Sequence, residues 1–347
     1  MNIQIPPLDQ KAMSLAKKRI DSLVKPYESL GDMEQYIEKL AGIQATDQPS
    51  IDSRYHIVMC ADNGVFCEDV SRSEQKVTRQ VAENFQKGAT CASVFARKTR
   101  STMLVYDVGI DWDQPLDGVI SRKVRRSTAN MKKGPAMTRN DAKEAILVGI
   151  DAARKVKREG GQIITTGEMG VCNTTTSAAL ASVFLGLDPS QTVGRGAGLT
   201  HKAYLHKIEV VRSAIEVNQP DRSDVLDVLS KLGGLDICGL IGVFLGAAQN
   251  RLPVIADGLI STVALLAASL MEPKTVEYAF ASHISAEPAG QAVLDKLGLK
   301  APIQMGMRVG EGTGALLFLE ILDFALKAYY EMPTFDQAEI MVYDPLE

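Results

Sequence analysis

The sequence predicts an α/β fold with a mainly parallel β-sheet that is covered by helices on both faces. Short apolar runs of strand length alternate along the chain with longer segments of helical periodicity. Glycine, aspartate or other polar residues bound each run. The runs are continuously apolar rather than alternating, which is typical of strands that are buried on both faces of a parallel sheet.

The predicted elements follow one another from the N-terminus. Helical spacing predicts two helices over residues 8–24 and 29–43, with Pro26 between them. The predicted strands are residues 57–61, 103–108, 162–166, 254–257 and 278–282. The other predicted helices are residues 74–97, 141–159, 175–185, 202–217, 225–232, 259–271 and 314–330. Because the first two helices and the last do not alternate with strands, we expect a small helical lobe (residues 1–50 and 315–347) beside a large α/β domain (51–314).

The composition predicts a globular protein of the reducing cytoplasm. A formal net charge of −4 over 347 residues gives no reason to expect nucleic acid or an anionic membrane as partner. The five cysteines are scattered and suggest no disulfide framework, and no metal-site spacing is present. The N-terminus lacks the layout of a signal peptide, and Asp257 and Gly258 interrupt the most apolar stretch, residues 252–271.

Polar, small and acidic residues follow each of the five predicted strands. These loops contain the sequences ADNGV, DVGI, GEMGVCNTTT, DGLIST and SHISAEP. Because the carboxyl ends of parallel strands meet at one edge of a sheet, the loops are expected to line one shared pocket. The alternative is that their glycines and aspartates only form turns.

The stretch TTGEMGVCNTTTSAALASVF, residues 165–184, predicts an anion site at a helix start. Gly170 lets the backbone approach a ligand, and the first amides of the following helix lack intrahelical partners. The polar residues that would join these amides are Asn173, Thr174, Thr175 and Thr176. The alternative is a threonine N-cap on a buried helix, for which one threonine suffices. The lysine of a nucleoside-triphosphatase loop is missing.

Two glutamates are candidate catalytic residues. Glu168 precedes the predicted anion site, where it would face a sugar or a reacting carbon rather than a phosphate. Glu311 lies between Gly310 and Gly312 ahead of the last helix, and these glycines leave its carboxylate open to a ligand. Such a carboxylate is suited to general base catalysis. The alternatives are a surface loop residue for Glu168 and a favourable helix-terminal charge for Glu311.

Two other kinds of chemistry are disfavoured. Ser282 and His283 are a conceivable nucleophilic pair, but neighbours on a strand point to opposite faces. A dinucleotide-binding loop would need G-x-G-x-x-G after the first strand, and this is absent.

Lys207, in a predicted helix, is a candidate to reach a phosphate, although most such lysines are solvated.

A series of segments, taken in order, resembles the nicotinate-nucleotide:dimethylbenzimidazole phosphoribosyltransferase family over nearly the whole chain. The segments are residues 7–44, ADNGV, DVGI, GEMGVCNTTTSAAL, GRGAGL, GGLDICGLIG, DGLISTVALLA, SHISAEP and GMRVGEGTGA. The resemblance implies a cytoplasmic homodimer with a Rossmann-like sheet. It also implies transfer of the phosphoribosyl group of nicotinate mononucleotide to an aromatic lower-ligand base of a cobamide, with release of nicotinate and no metal or other cofactor.

The resemblance also implies roles for individual residues. Glu311 matches the general base that deprotonates the incoming ring nitrogen, and Glu168 matches a second acid near the ribose. The implied phosphate-binding positions are Asn173, Thr174, Thr175, Thr176, Lys207 and Ser285. Ser73 and Gln80 are the corresponding candidates for the pocket of the acceptor base.

Two positions depart from the pattern of the family. Asn63 replaces the usual histidine of ADHG, and Glu28 replaces a glycine. Since Asn63 lies in the loop that leads to the predicted base pocket, the acceptor is either a benzimidazole or a phenol. Some relatives form heterodimers, so the alternative function is a catalytically weak partner subunit of a paralogue. Retention of both Glu168 and Glu311 favours an active enzyme.

Overall fold

A six-stranded parallel sheet forms the centre of the computed structural model, which describes residues 3–196 and 198–341. The strand order is β3-β2-β1-β4-β5-β6. The strands are β1 (Arg54–Ala61), β2 (Thr102–Gly109), β3 (Ile120–Ser121), β4 (Ile163–Met169), β5 (Val254–Ala256) and β6 (Ala279–Ala281). The predicted α/β class with a parallel sheet is therefore confirmed. The chain reverses its direction across the sheet between β1 and β4, where a crevice opens in doubly wound sheets.

Thirteen α-helices surround the sheet within the described ranges. They are α1 (Gln10–Ser22), α2 (Asp32–Gln44), α3 (Lys76–Gln86), α4 (Cys91–Lys98), α5 (Arg139–Arg158), α6 (Asn173–Leu185), α7 (Pro189–Thr192), α8 (His201–Asn218), α9 (Val225–Leu232), α10 (Leu235–Gln249), α11 (Leu259–Met271), α12 (Gly290–Leu297) and α13 (Thr313–Glu331). Two 3₁₀ helices span Gly64–Glu68 and Pro273–Tyr278. No helix of the described segments combines the length and apolarity needed to cross a bilayer.

Alternate residues of the strands divide the core into two layers, one on each face of the sheet. On β1, Ile57 and Met59 join the core cluster that contains α5, α6, α10 and α11. Val58 and Cys60 point to the opposite face and pack with α1, α2, α4 and α13. Both faces of the strand are therefore buried, which explains its continuous apolar run.

The helices from the two chain ends pack together, as the predicted lobe requires. α1 packs on α2, and α13 packs on α2 and also on β4 and β5. The described part of this region ends at residue 341, so the last six residues of the predicted lobe lie outside it. The division of the chain into two domains stays a prediction.

The predicted helix over residues 74–97 is wrong as one element. The chain forms α3, turns at Gly88 with φ +71°, and begins α4 after Thr90, whose hydroxyl accepts the Ser93 N–H. A left-handed residue ends a helix readily when it is glycine, and threonine is a favoured N-cap.

Helix α10 was not predicted, because it is apolar on every side and so shows no amphipathic period. Glycines let it approach α5 closely. A Cβ atom added at Gly149 would lie 1.9 Å from the Gly239 carbonyl oxygen, and one at Gly242 would lie 1.9 Å from the Ile146 carbonyl oxygen. Helices α7 and α12 and the two-residue strand β3 were also not predicted, since all three are short.

Candidate active site

A cavity of about 330 Å³ opens at the carboxyl edge of the sheet. Residues that follow β1, β4, β5 and β6 line it, together with the segment that leads into α13. Four of the five predicted loops therefore meet at one cavity, and the loop after β2 is not part of its lining. The contacts of Glu168, Glu311 and Lys207 give the cavity its chemistry.

Glu168 lies at the end of β4 and reaches the cavity with only 6% of its surface exposed. Asn173 Nδ2 and the backbone N–H of Glu311 donate hydrogen bonds to its carboxyl group. Burial, and then the nearby carboxyl group of Asp236, raise the pKa of Glu168 to about 8, and the hydrogen bonds only partly oppose this. Glu168 therefore keeps its proton to a higher pH than a solvated glutamate does.

Glu311 lies in the same cavity, and its backbone contacts Glu168 directly. Its carboxylate reaches the start of α4, where Oε2 accepts the Ala92 N–H at 3.0 Å and the Thr90 side chain adds a second hydrogen bond. Burial raises the pKa of Glu311, and these two hydrogen bonds oppose the rise. A carboxyl group with a raised pKa is a better base than a solvated one.

The backbone at Glu311 is left-handed, with φ +61° between Gly310 at +78° and Gly312 at +87°. A non-glycine residue in this region costs free energy and needs support from its surroundings. His56 on β1 supplies it, because Nε2 lies 2.9 Å from the Glu311 carbonyl oxygen and Nδ1 lies 2.8 Å from Thr165 Oγ1.

The protonation state of His56 follows from these partners. A carbonyl oxygen can only accept a hydrogen bond, so Nε2 carries the proton and donates a hydrogen bond to the Glu311 carbonyl oxygen. Burial lowers the pKa of His56 to about 4, and the ring is neutral at physiological pH. A Cβ at Gly312 would lie 2.2 Å from His56 Cε1, so glycine is required beside the ring. His56 was not predicted, although a histidine within an apolar strand is a signal that it makes specific hydrogen bonds.

Residues of the predicted anion site also line this cavity. Lys207 Nζ on α8 donates to Thr174 Oγ1 at 2.9 Å, although Lys207 is only 1% exposed. Burial lowers the pKa of Lys207, while the neighbouring carboxylate of Glu287 opposes this. Gly170, Asn173 and Ser285 also line the cavity. The lining therefore offers one buried cation, hydroxyl groups and the start of α6 to an anion.

The remaining predicted threonines do not line the cavity. Thr175 is fully buried, and Thr176 Oγ1 donates to Asn63 Oδ1 at 2.8 Å. Successive residues of a helix point about 100° apart, so one threonine of three faces the ligand side. Asn63 itself is buried behind the cavity wall.

The predicted acceptor residues lie in different places. Ser73 lines the cavity, whereas Gln80 on α3 is exposed and is not part of the lining. The helix instead presents Val77 and Val81 to the cavity, one turn apart, and Val70 extends this apolar wall. An aromatic ring fits such a wall.

Two further acids of this edge were not singled out from the sequence as site residues. Asp257 follows β5, lines the cavity and caps α13, since Oδ1 accepts the Gly314 and Ala315 N–H groups at 2.8 and 3.0 Å. Asp236 at the start of α10 is fully buried. Burial raises the pKa of Asp236 to about 7. Capping and network acids of this kind give no local signal in the sequence.

The Ser282–His283 pair is present, with Ser282 Oγ 3.0 Å from His283 Nδ1. Ser282 is fully buried and does not line the cavity, so a substrate in the cavity would not reach its hydroxyl group. The geometry therefore gives no support to serine nucleophile chemistry.

Comparisons with known proteins agree on one family. A family model described as phosphoribosyltransferase matches residues 5–340. The sequence is 48% identical over 343 residues to the nicotinate-nucleotide–dimethylbenzimidazole phosphoribosyltransferase of Ruminiclostridium cellulolyticum, covering 99% of this chain and 97% of that protein. It is 47% identical over 338 residues to the enzyme of the same name from Acetivibrio thermocellus, covering 97% and 96%. The crystal structure of the Thermus thermophilus enzyme of that name superposes with a TM-score of 0.90 at 35% identity, covering 97% of this chain and 100% of that one.

Proposed function

Because the chain belongs to the nicotinate-nucleotide:dimethylbenzimidazole phosphoribosyltransferase family, we propose that it transfers the phosphoribosyl group of nicotinate mononucleotide to a benzimidazole-type lower-ligand base. The products are nicotinate and an α-riboside phosphate, a precursor in cobamide synthesis. The observation that carries this proposal is the meeting of Glu168 and Glu311 at a cavity that Lys207 and Thr174 also line.

The donor is proposed to bind through its phosphate. Lys207 and Thr174 would hold the phosphate oxygens, with Ser285 and the start of α6 as further partners. This anchor would orient the ribose so that its anomeric carbon lies between the two glutamates. Orientation of this kind supplies a large share of the rate enhancement in a transfer between two bound reactants.

The proposed chemistry exchanges one C–N bond for another at the anomeric carbon. The bond to nicotinate breaks with its electron pair remaining on the pyridine nitrogen, and the sugar becomes oxocarbenium-like. Glu168, as an anion, stabilises this positive charge. The acceptor nitrogen attacks from the opposite face while Glu311 takes the ring N–H proton. The apolar wall of Val77 and Val81 supports an aromatic acceptor.

An acceptor panel tests the proposal. The purified chain is incubated alone with nicotinate mononucleotide and benzimidazoles or phenols, and nicotinate and the riboside are measured by chromatography with mass detection. We expect nicotinate release and an N-riboside with benzimidazoles. Transfer to phenols alone would replace the proposed acceptor. No nicotinate release with any acceptor would overturn activity for the isolated chain and favour the partner-subunit alternative.

Replacing Lys207 with methionine should raise the donor KM by about ten- to a hundredfold and change kcat much less, because a charged phosphate contact is lost at the end remote from the reacting bond. Initial rates over a range of nicotinate mononucleotide concentrations measure both constants. Lys202→Met, on the exposed side of the same helix, is the matched control. A fall in kcat at unchanged KM would contradict the phosphate contact.

Replacing His56 with alanine should lower kcat about ten- to a hundredfold. The Glu311 carbonyl oxygen loses its hydrogen-bond donor, and the left-handed backbone at Glu311 therefore loses its support. The donor KM should change little, since His56 does not line the cavity. His56→Gln keeps a side-chain N–H and is expected to recover part of the loss. Equal kcat values for the alanine variant and the wild type, both folded by circular dichroism, would remove this role.

A further inference from the structure

A second buried carboxyl group lies directly behind Glu168. Asp236 at the start of α10 is 0% exposed and does not line the cavity. Asn173 connects the two acids, since its Nδ2 group donates to Glu168 Oε2 and also to Asp236 Oδ2, the latter at 3.2 Å. One amide group thus uses both of its N–H bonds to hold two carboxyl groups in register.

The far side of Asp236 is incompletely satisfied. Asp236 Oδ1 and Asn63 Nδ2 lack a hydrogen-bond partner of good geometry among the described residues, while the backbone N–H groups of Asp236 and Ile237 and the Asn63 amide lie near enough to lower the pKa of Asp236. Two glycines make room for the group. A Cβ at Gly170 would lie 2.7 Å from Asp236 Oδ2, and one at Gly234 would lie 2.4 Å from Oδ1. A buried polar network that is only partly satisfied costs stability, so its presence at a site points to a functional use.

Acidic groups dominate the surroundings of this pair. The titratable groups that act on Glu168 beside Asp236 are Asp257 after β5 and Glu311 before α13, and the thiols of Cys60 on β1 and Cys238 on α10 also lie near this pair. Burial raises the pKa of both thiols, which stay neutral. The cationic side chains of the cavity lining are not among the main influences on Glu168; they are Arg72, Arg195, Lys207 and Arg308. Two anions around one amide therefore repel each other with little compensation.

We propose that Asp236 is a positioning residue that acts through Asn173 to keep Glu168 protonated until the pyridinium ring of a bound donor lies in the cavity. The inference rests on the proposed function, because the donor it invokes is a ribosylated pyridinium. Because the two carboxyl groups share Asn173, ionisation of one disfavours ionisation of the other. The positive pyridinium ring offsets that repulsion, and Glu168 releases its proton to solvent through the open cavity. The anion that stabilises the transition state thus forms when the substrate is present.

Proton release on donor binding tests this directly. Calorimetric titration of the full-length protein with nicotinate mononucleotide, in buffers of different ionisation enthalpy near pH 7, counts the protons released. We expect wild type to release more protons than Asp236→Asn, by up to one, because removal of the neighbouring acid leaves Glu168 of the variant more ionised before the donor binds. Glu168→Gln should likewise release fewer protons than wild type, because glutamine does not ionise. Protons released by the phosphate of the donor are common to all three proteins and cancel in the comparison. Asp188→Asn, on the surface, is the control and should match wild type.

The pH dependence gives a second readout that a merely structural role would not move. The acid limb of kcat/KM should shift to lower pH by about one unit in Asp236→Asn, since loss of the like charge lowers the pKa of Glu168. If that variant does not fold, Glu168→Gln alone still decides the proton count. Equal proton release by wild type and Glu168→Gln would overturn the inference while leaving the proposed function intact. Failure of the donor to bind wild type would overturn both.

Discussion

Replacing Glu311 with glutamine should lower kcat for phosphoribosyl transfer by about 10²–10⁴-fold, the usual effect of removing a general base. Glutamine keeps the size of the side chain and cannot take the proton of the acceptor. The fold should persist, because His56 holds this residue through its backbone carbonyl, which the substitution leaves unchanged. The donor KM should change little, since Glu311 is not one of the proposed phosphate contacts, Lys207 and Thr174.

Single-turnover rates with saturating donor and acceptor measure this effect apart from binding. An acceptor that is already deprotonated at the assay pH needs no base, so its transfer should be impaired far less in Glu311→Gln. Glu320→Gln, on α13 and remote from the cavity lining, is the control and should behave as wild type. An unchanged turnover number in Glu311→Gln would reject the role of base.

The sheet was predictable because burial on both faces removes polar residues from its strands. β1, β2, β4, β5 and β6 all appear where continuous apolar runs predicted them. Elements without such a signature were missed. Helix α10 has no polar face, and its close packing on α5 depends on glycines that are individually unfavourable in helices. A buried helix of this kind cannot be recognised by its period.

The site was predictable to the level of its loops, but not always to the level of its side chains. The topology brings Glu168 and Glu311 together from positions more than a hundred residues apart. This is expected, because the loops at the carboxyl ends of parallel strands meet at one edge of the sheet. Which side chains of a helix face the cavity depends on their angular position around the helix axis. Thr174 faces the cavity where Thr176 does not, and Val77 and Val81 face it where Gln80 does not. The roles of these residues in binding stay predictions.

His56 and Asp236 show why supporting residues are harder to predict than lining residues. Each acts on a partner that is distant in sequence, through a contact that exists only after the strands and helices have packed. The one local hint is a polar side chain in a segment that is otherwise buried. Such a hint identifies a residue that needs a partner, but only the three-dimensional arrangement identifies which partner it has.

Replacing Glu168 with glutamine should lower kcat by about 10²–10³-fold and at the same time stabilise the protein above neutral pH. The loss of activity follows from removing the anion that faces the developing positive charge. The gain in stability follows from linkage. The pKa of Glu168 rises from 4.5 to about 8 on folding, so the folded wild type binds this proton more tightly than the unfolded chain. Its contribution to stability is therefore full below about pH 4.5.

As the pH rises from about 4.5 to about 8, the unfolded wild type loses this proton first and the folded state is progressively destabilised. Glutamine does not titrate, so the variant does not lose stability in this way as the pH rises. Its advantage in the free energy of unfolding should be near zero at pH 5, reach the order of a few kcal/mol at pH 8 and then level off. Denaturant unfolding at fixed temperature across this range measures the difference. Glu209→Gln, on an exposed face of α8, should show no such trend. A pH-independent difference between Glu168→Gln and wild type would mean that Glu168 is ionised in the empty site, and that its environment stabilises the anion before any substrate arrives.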